Sequence, residues 1–209
     1  MSFQGWPEAA LDFFEGLERE NTKAYWTEYR SVYDRAVLEP MTQLTDELAP
    51  DYGPVKIFRP YRDIRFSADK SPYRTDIGAI VGSAYIRLSA AGLSAGNGMW
   101  HLAADQLDRY RRGVADETSG AALAGIAGEL ERQGIAVVSH ERLKSAPRGY
   151  PADHPRADLL ARKGLAAHRE WPVEAWLGTA AAADRVRDFL AATRPLTDWL
   201  DAHVGEPAG

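Results

Sequence analysis

Apolar positions recur at helical spacing near both ends of the chain. Stripes over residues 7–17 and 25–36 predict two amphipathic helices, with Asn21 as the N-cap of the second. Residues 179–203 predict a closing pair of helices that is broken near Pro195, because proline cannot donate the helical hydrogen bond. The chain is therefore expected to begin and end in helices.

The hydrophobic pattern between these ends is typical of short strands. Segments rich in Ile, Val, Tyr or Trp predict strands over residues 55–58, 77–88, 135–139 and 165–171. The glycine-rich residues 92–98 have turn chemistry, so residues 77–100 are interpreted as a hairpin or a strand pair. Helical patterns cover residues 103–114, 119–133 and 156–163.

The order of these elements predicts an α+β fold and argues against alternating β-α-β units. We expect a mainly antiparallel sheet packed with helices, with helical N- and C-terminal segments. A single domain over residues 1–209 is predicted. Its parts are a helical segment over 1–50, a sheet-containing core over 55–171 and C-terminal helices over 173–204.

The 209 residues include no cysteine and carry a formal net charge of −5. The missing cysteines exclude disulfides, thiolate metal sites and thiol catalysis within this sequence. No apolar run approaches the roughly 20 residues that span a bilayer, and the first residues lack the pattern of a signal peptide. A cytoplasmic protein without membrane contact is therefore expected, and neither a metal site nor a cofactor is predicted.

Positive charge is concentrated in two segments of this acidic chain. Residues 55–76, the first basic block, contain six Lys or Arg against three Asp. Residues 142–163, the second basic block, contain six Lys or Arg against two Asp. Arginine forks bind phosphate and carboxylate groups, and the aromatic residues between them suit a flat ligand. If the fold brings both blocks together, they form a cationic site on an anionic protein.

Three ordered motifs carry a resemblance to a known family. Residues 58–75 read Phe-Arg-Pro-Tyr-Arg-Asp-Ile-Arg-Phe-Ser-Ala-Asp-Lys-Ser-Pro-Tyr-Arg-Thr, and residues 143–150 read Leu-Lys-Ser-Ala-Pro-Arg-Gly-Tyr. The third motif is Asn21 with Trp26 and Tyr33. Together they resemble the bacterial and fungal proteins grouped as domain of unknown function 2461 (DUF2461). This resemblance covers nearly the whole chain and implies one compact α+β domain, but it supplies no reaction.

Two interpretations of the basic blocks remain open. In the first, the blocks form a pocket for an anionic small molecule, such as a phosphorylated one. The residues predicted to bind this ligand are Arg62, Arg65, Lys70, Tyr73, Arg74, Lys144, Arg148, Tyr150 and Lys163. In the second, the aspartates within the first block pair with its arginines and hold an irregular loop in place.

A hydrolase or transferase acting on such a ligand is the alternative function. Ser67 and Lys70 have Ser-x-x-Lys spacing, and Asp63 and Asp69 are further candidate catalytic groups. No other part of a serine acylase motif follows, and the five histidines form no His-x-His or His-Glu-x-x-His motif. A nucleic-acid-binding module also fits cations interleaved with aromatic residues, although the acidic remainder of the chain counts against it.

Overall fold

The computed structural model of the chain describes residues 2–208 and divides into two compact units. Unit 1 contains the chain up to Ala95 together with Glu170–Phe189. Unit 2 contains Gly96–Arg169 and the chain from Leu190 onward. The first basic block therefore lies in unit 1 and the second in unit 2. The prediction of a single domain stays a prediction.

Helices and strands alternate in groups along the chain. The helices are α1 (Glu8–Arg19), α2 (Lys23–Val32), a π-helix (Tyr33–Leu38), α3 (Glu39–Tyr52), α4 (Ala104–Ala115), α5 (Glu117–Arg132), α6 (Ala157–Leu160), a 3-10 helix (Ala175–Gly178) and α7 (Ala181–His203). The strands are β1 (Val55–Ile57), β2 (Asp76–Val81), β3 (Ala84–Ser89), β4 (Gly92–Met99), β5 (Ala136–Val138) and β6 (Leu165–Trp171).

These strands form one six-stranded sheet in the order β1-β2-β3-β4-β6-β5. Pairing is antiparallel between β1 and β2, between β2 and β3, and between β5 and β6. Helices precede and follow the strands in the chain. The predicted α+β fold with an antiparallel sheet and helical termini is confirmed.

The strand pattern over residues 77–100 differs from the prediction. Three strands lie there, because a two-residue turn at Gly82 and Ser83 divides the predicted strand into β2 and β3. Gly82 has φ +58°, and a Cβ on it would lie 1.9 Å from the Tyr52 carbonyl oxygen. Gly96 and Gly98 lie within β4 and not in a turn. A Cβ on Gly98 would lie 2.7 Å from the Leu165 carbonyl oxygen, so glycine is needed there for close strand packing.

Two helix predictions are also corrected. The N-cap of α2 is Thr22, whose hydroxyl accepts from the Tyr25 N–H at 3.1 Å, and Asn21 has another role described below. The final helix, α7, continues through Pro195 as one element. Proline costs a helix one hydrogen bond but does not always end it, and here the helix is long enough to tolerate that loss.

Aromatic side chains form the N-terminal part of the unit 1 core. Trp26 is only 4% exposed, and its ring lies 5.9 Å from Phe13 and 4.8 Å from Tyr33, centroid to centroid. The predicted aromatic stripe of the second helix therefore packs inward. Burial of these large rings supplies much of the apolar area that holds this end of unit 1 together.

A buried tyrosine anchors the core of unit 2. Tyr110 on α4 is 0% exposed, and its hydroxyl donates to the Leu159 carbonyl oxygen at 2.9 Å. Its ring meets Trp199 edge to face at 6.2 Å, and the Trp199 indole N–H donates to the Ser119 carbonyl oxygen at 2.9 Å. The Tyr110 hydroxyl and the Trp199 indole N–H therefore each have a hydrogen-bond partner within this apolar cluster. Among residues 2–208, no helix combines the length and the apolar character of a membrane span.

Candidate functional site

The first basic block is a loop whose two ends are tied together. The Arg62 N–H donates to the Pro72 carbonyl oxygen at 2.9 Å, and the Arg74 N–H donates to the Pro60 carbonyl oxygen at 2.8 Å. These bonds make an antiparallel bridge between Tyr61 and Tyr73. The irregular segment between β1 and β2 therefore has an ordered base, named here the loop base, although its sequence shows no strand pattern.

Asn21 fixes the loop base to the N-terminal helices. Its side-chain amide donates to the Tyr73 carbonyl oxygen and accepts from the Tyr73 N–H, both at 3.0 Å. The Tyr73 ring stacks on Trp26 with centroids 4.5 Å apart and planes 9° apart. Tyr73 is only 5% exposed, so most of its ring is committed to this stack. A ligand could reach only a small part of Tyr73, and a direct ligand-binding role for it stays a prediction.

A polar concavity of about 390 Å³ opens beside the loop base. The residues that line it, here called the loop-base cavity, are Glu18, Asn21, Arg62, Asp69, Ser71, Tyr73, Arg74, Thr75 and Asp76. Three of the predicted ligand-binding residues thus lie together: Arg62, Tyr73 and Arg74. The volume is in the range of small-molecule sites. Two guanidinium groups, three hydroxyls, three carboxylates and one amide provide the polar chemistry of the lining.

Arg62 is held in the wall of the loop-base cavity by Asp69. The two side chains form an ion pair, and the other Asp69 oxygen accepts from the Ser71 hydroxyl at 2.6 Å and the Ser71 N–H at 2.9 Å. The Ser71 hydroxyl and the Arg62 guanidinium therefore hold the pKa of Asp69 well below its usual value. Asp69 is ionised at neutral pH, which suits an orienting group better than a general acid.

This arrangement predicts how Asp69 titrates. Replacing Ser71 by alanine or Arg62 by glutamine is expected to raise the Asp69 pKa toward 3.8, because each change removes a donor to the carboxylate. Since the folded-state pKa is the lower one, the stabilisation is present above pH 3.8 and is lost as the pH falls. The carboxyl carbon shift measured by NMR against pH reports the pKa directly.

The matched control for this titration is Arg65→Gln. The Arg65 guanidinium lowers the pKa of Asp63, not of Asp69. Arg65→Gln is therefore expected to raise the Asp63 pKa and to leave that of Asp69 unchanged. A wild-type Asp69 that already titrates near 3.8 would contradict the geometry described here.

Arg74 shares one carboxylate with a second arginine. Its Nε and Nη2 donate to one Asp76 oxygen at 2.9 and 2.7 Å, and the Arg87 Nε donates to the other at 2.9 Å. The Asp76 side chain is 14% exposed, whereas those of Arg74 and Arg87 are 34% and 38% exposed. One carboxylate between two guanidinium groups leaves a net positive charge at the surface. The Phe58 ring lies below Arg74, with the guanidinium carbon 5.9 Å from its centroid.

The tip of the first block is arranged by local contacts. Arg65 pairs with Asp63 at 2.6 Å, and the Lys70 ammonium donates to the Ile64 carbonyl oxygen at 3.0 Å. Within residues 2–208, no hydrogen bond joins Ser67 to Lys70, so the Ser-x-x-Lys interpretation gains no supporting contact. Phe66 is 97% exposed at this tip. The catalytic roles of Asp63, Asp69 and Ser67 stay predictions.

The second basic block is also partly neutralised. Asp158 pairs with Arg142 at 2.6 Å and with Arg162 at 2.9 Å. Lys163 pairs with Glu141 at 2.5 Å, and this ammonium is the main reason that the Glu141 pKa is lowered. As with Asp76 in the first block, a single carboxylate bridges two arginines and leaves one positive charge in surplus.

Two predicted cations of the second block remain open to solvent. Lys144 and Arg148 are exposed, and within residues 2–208 neither has an ion-pair partner within 4.0 Å. Tyr150, the aromatic residue predicted beside them, is half-buried. These three residues lie in unit 2, whereas Arg62, Arg65, Lys70, Tyr73 and Arg74 lie in unit 1. A single site made from both blocks therefore stays a prediction.

A larger concavity of about 820 Å³ lies in unit 2, outside both blocks. It runs along α4, the start of α5 and the end of α7. In this concavity the Arg109 guanidinium donates to the carbonyl oxygens of Val204 and Glu206 at 2.5 and 2.6 Å. The Asp116 side chain is the N-cap of α5. Because none of the residues predicted to bind a ligand lines this concavity, we regard the smaller loop-base cavity as the better candidate site.

Several residues of the loop-base cavity are not evident from the sequence. Glu18 lies in the lining but belongs to none of the three motifs. Arg87 does not line the cavity, but it shares Asp76 with Arg74 from its place on β3, outside the basic block. Asn21 was identified as part of a family motif, but the sequence does not show that its side chain bonds to Tyr73, which is 52 residues further along the chain. Charge counts within a window therefore found Arg62 and Arg74 together with the aspartates that pair with them, but not the more distant contacts made by Asn21 and Arg87.

Most of the chain matches a protein-family model. Residues 9–199 match a family described as "Conserved hypothetical protein (DUF2461)". No curated protein and no solved structure shows significant similarity to the chain. The match covers most of the 209 residues and includes the positions of the three motifs identified in the sequence.

Proposed function

The chain belongs to the DUF2461 family of conserved hypothetical proteins, and from the geometry of its loop-base cavity we propose that it binds an anionic small molecule. The observation that carries this proposal is the pair Arg62 and Arg74, two oriented guanidinium groups in one concavity of about 390 Å³. Each arginine is held by a carboxylate, which fixes its direction before a ligand arrives.

Both arginines retain donors for a ligand. A guanidinium has five N–H donors, and Arg62 uses one nitrogen for Asp69 while Arg74 uses two for Asp76. The side chains are 31% and 34% exposed, so the remaining donors can meet solvent or a ligand. Planar donor pairs of this kind match phosphate and carboxylate oxygens.

The rest of the lining narrows the ligand class. Glu18, Ser71 and Thr75 offer acceptors, to which the hydroxyl groups of a small molecule can donate. Three carboxylates in the lining disfavour a ligand with many negative charges. A small molecule with one phosphate group and several hydroxyls therefore fits the cavity best, and a phosphorylated sugar represents this class.

Calorimetry with inorganic phosphate, ribose 5-phosphate and ribose tests the proposal at constant ionic strength. We expect ribose 5-phosphate to bind more tightly than phosphate, and ribose to bind most weakly. Arg62→Gln and Arg74→Gln are each expected to weaken binding about tenfold or more, since hydrogen bonds to charged groups contribute about 1.5–3 kcal/mol. Arg19→Gln is the matched control, because this exposed arginine on α1 pairs with Glu15 and does not line the cavity.

Two results would overturn the proposal. One is binding of ribose 5-phosphate that is equally tight in the wild type, Arg62→Gln and Arg74→Gln. The other is no measurable binding of any phosphorylated probe by a folded wild-type protein. Unchanged circular dichroism and melting temperature in each variant show that a loss of affinity arises from the site and not from unfolding.

A separate variant tests whether the second basic block contributes to ligand binding. Lys144, Arg148, Tyr150 and Lys163 are proposed to add charge and an aromatic contact to the same ligand, a step supported by the surplus positive charge of residues 142–163. Arg148→Gln, in an exposed residue, is then expected to weaken binding of ribose 5-phosphate as Arg62→Gln does. Unchanged binding in Arg148→Gln would restrict the site to the first block.

Two further assays on the same purified protein distinguish the alternative functions from small-molecule binding. Release of phosphate from ribose 5-phosphate that disappears in Asp69→Asn would favour a hydrolase, because Asp69 lines the cavity. Binding of an unrelated single-stranded oligonucleotide that falls steeply with salt would favour a nucleic-acid-binding module. The small-molecule proposal predicts neither result.

A further inference from the structure

Two histidines of unit 2 face each other through their ring nitrogens. The His101 Nδ1 and the His140 Nε2 lie 3.1 Å apart, and the ring centroids are 4.6 Å apart. His101 is exposed, whereas the His140 side chain is 23% exposed. Neither residue belongs to a basic block, and the loop-base cavity does not include them.

The tautomer of His140 follows from its other hydrogen bond. The His140 Nδ1 lies 3.0 Å from the Trp100 carbonyl oxygen. A carbonyl oxygen can only accept, so this nitrogen carries a proton and donates. In the neutral ring the Nε2 is then unprotonated, and its lone pair points at His101. A carbonyl that fixes the far nitrogen in this way is typical of histidines that ligate metals.

The backbone around the pair is tied on several sides. The Leu102 N–H donates to the Lys163 carbonyl oxygen at 3.2 Å, and the Lys163 N–H donates to the Glu141 carbonyl oxygen at 2.9 Å. Lys163 thus connects the segment that carries His101 to the segment that carries His140. The two imidazoles are positioned by ordered main chain, as a preorganised site requires.

We propose that His101 and His140 together bind a divalent first-row transition-metal ion. Bonds from zinc to imidazole nitrogen measure about 2.0–2.1 Å, so two such ligands at tetrahedral or slightly smaller angles lie about 3.0–3.4 Å apart. The observed 3.1 Å between the two nitrogens matches this spacing. The inference goes beyond the proposed anion binding and does not depend on it.

Glu141 is the nearest candidate for a third ligand. Its Oε2 lies 3.9 Å from the His140 Nε2, while its Oε1 accepts from Lys163 at 2.5 Å. Among residues 2–208, no group of three or more His, Cys, Asp or Glu side chains has metal-ligand geometry as it stands. The two imidazoles are therefore the primary ligands, water completes the coordination, and Lys163 competes with the metal for Glu141.

The donor set selects the kind of ion. Neutral imidazole nitrogen suits Zn²⁺, Ni²⁺ and Cu²⁺, whereas Mg²⁺ and Ca²⁺ prefer oxygen ligands. We therefore expect Cu²⁺ to bind more tightly than Ni²⁺ or Zn²⁺, in the usual order for nitrogen ligands, and Mg²⁺ not to bind at this position.

The test is calorimetric titration of the metal-free full chain with ZnCl₂, repeated with MgCl₂. Wild type is expected to bind one Zn²⁺ per chain, and His101→Ala and His140→Ala are each expected to weaken that binding at least tenfold. Lys163→Gln is expected to bind Zn²⁺ more tightly, because it frees Glu141 to coordinate. His203→Gln is the control, because this exposed histidine on α7 is not part of the pair.

The sign of the Lys163→Gln effect distinguishes a built site from chance binding at the surface. Equal Zn²⁺ affinity in the wild type, His101→Ala and His140→Ala would overturn the proposal. If His140→Ala does not fold, the exposed His101→Ala variant decides alone. NMR spectra of the wild type must also show the imidazole signals of His101 and His140 shifting or broadening first as Cu²⁺ is added, and a first effect elsewhere would overturn the assignment.

Discussion

Replacing Trp26 by alanine is expected to lower the free energy of unfolding by about 3–5 kcal/mol, the usual cost of removing a buried aromatic ring. Trp26 is 4% exposed and lies against Phe13, Tyr33 and Tyr73. Its loss leaves a cavity between helices α1 and α2 and removes the surface on which Tyr73 stacks. Urea unfolding followed by far-UV circular dichroism measures the effect without relying on tryptophan fluorescence.

Tyr29→Ala is the matched control for Trp26→Ala. Tyr29 lies on the same helix but is 38% exposed, and its stacking partner is Tyr25. We expect this change to cost less than about 1 kcal/mol, as is usual for surface positions. A Trp26→Ala protein that unfolds at nearly the same urea concentration as the control would show that the aromatic cluster does not stabilise unit 1.

Trp26→Ala is also expected to weaken ligand binding in the loop-base cavity. The stack on Trp26 and the clamp from Asn21 hold Tyr73 from two directions. Without the stack, the loop base becomes mobile and Arg74, the next residue, loses its fixed direction. The loss of affinity for ribose 5-phosphate should then persist at temperatures where the variant is still folded.

Replacing Gly164 by alanine is expected to destabilise the protein by about 3 kcal/mol, the upper end of the usual cost of overpacking. A Cβ on Gly164 would lie 2.0 Å from the Trp100 carbonyl oxygen and 3.0 Å from that of Met99. Both obstacles are backbone atoms, so no side-chain rotation can relieve the overlap. Thermal and urea unfolding give the change in stability.

The same substitution at Gly125 should have the opposite sign. Gly125 is an exposed residue within α5, and no atom lies within 4 Å of its added Cβ. Alanine is better than glycine in a helix by about 0.5–1 kcal/mol. If Gly164→Ala and Gly125→Ala change the stability by similar amounts, the close approach at Trp100 is not a constraint on the fold.

Gly164→Ala also tests the histidine pair from a distance. The Trp100 carbonyl oxygen that Gly164 crowds is the acceptor that orients His140. Moving this carbonyl should weaken Zn²⁺ binding although neither histidine is changed. Gly125→Ala should leave Zn²⁺ binding at the wild-type level.

The helices were predictable because their information is local. The spacing of apolar residues placed α1, α4 and α5 within a few residues of their ends, since helical periodicity is a property of a single segment. The strand β6 was likewise placed correctly from its composition. Fold class followed from the order of these elements.

The errors in the strand pattern arose at glycines. Gly96 and Gly98 resemble turn residues in a window, but both lie within β4, and Gly98 lets the backbone at Leu165 approach closely. The turn at Gly82 was missed because its demand for a positive φ comes from the chain path and not from a turn motif. A sequence window contains no information on what lies opposite a glycine.

In the candidate sites too, the sequence predicted what is local and missed what depends on distant contacts. Arg62, Arg74 and Asp69 were found because their charges cluster in the sequence. The contact between His101 and His140 spans 39 residues and matches no spacing motif, so only the fold reveals it. Contacts between residues so far apart in the sequence depend on how the chain folds back on itself, and the composition of a segment contains no information on this.

The hydrogen-bonded loop base has a consequence for the length of the loop above it. Between Arg62 and Pro72 the chain leaves and returns to nearly the same point, and the Asn21 clamp holds that point from outside the loop. Lengthening a loop whose ends already meet costs little, about 0.6 kcal/mol for each doubling of its length. The hydrogen bonds of the loop base do not depend on the length of the tip, so an insertion next to Phe66 should change the stability of unit 1 little.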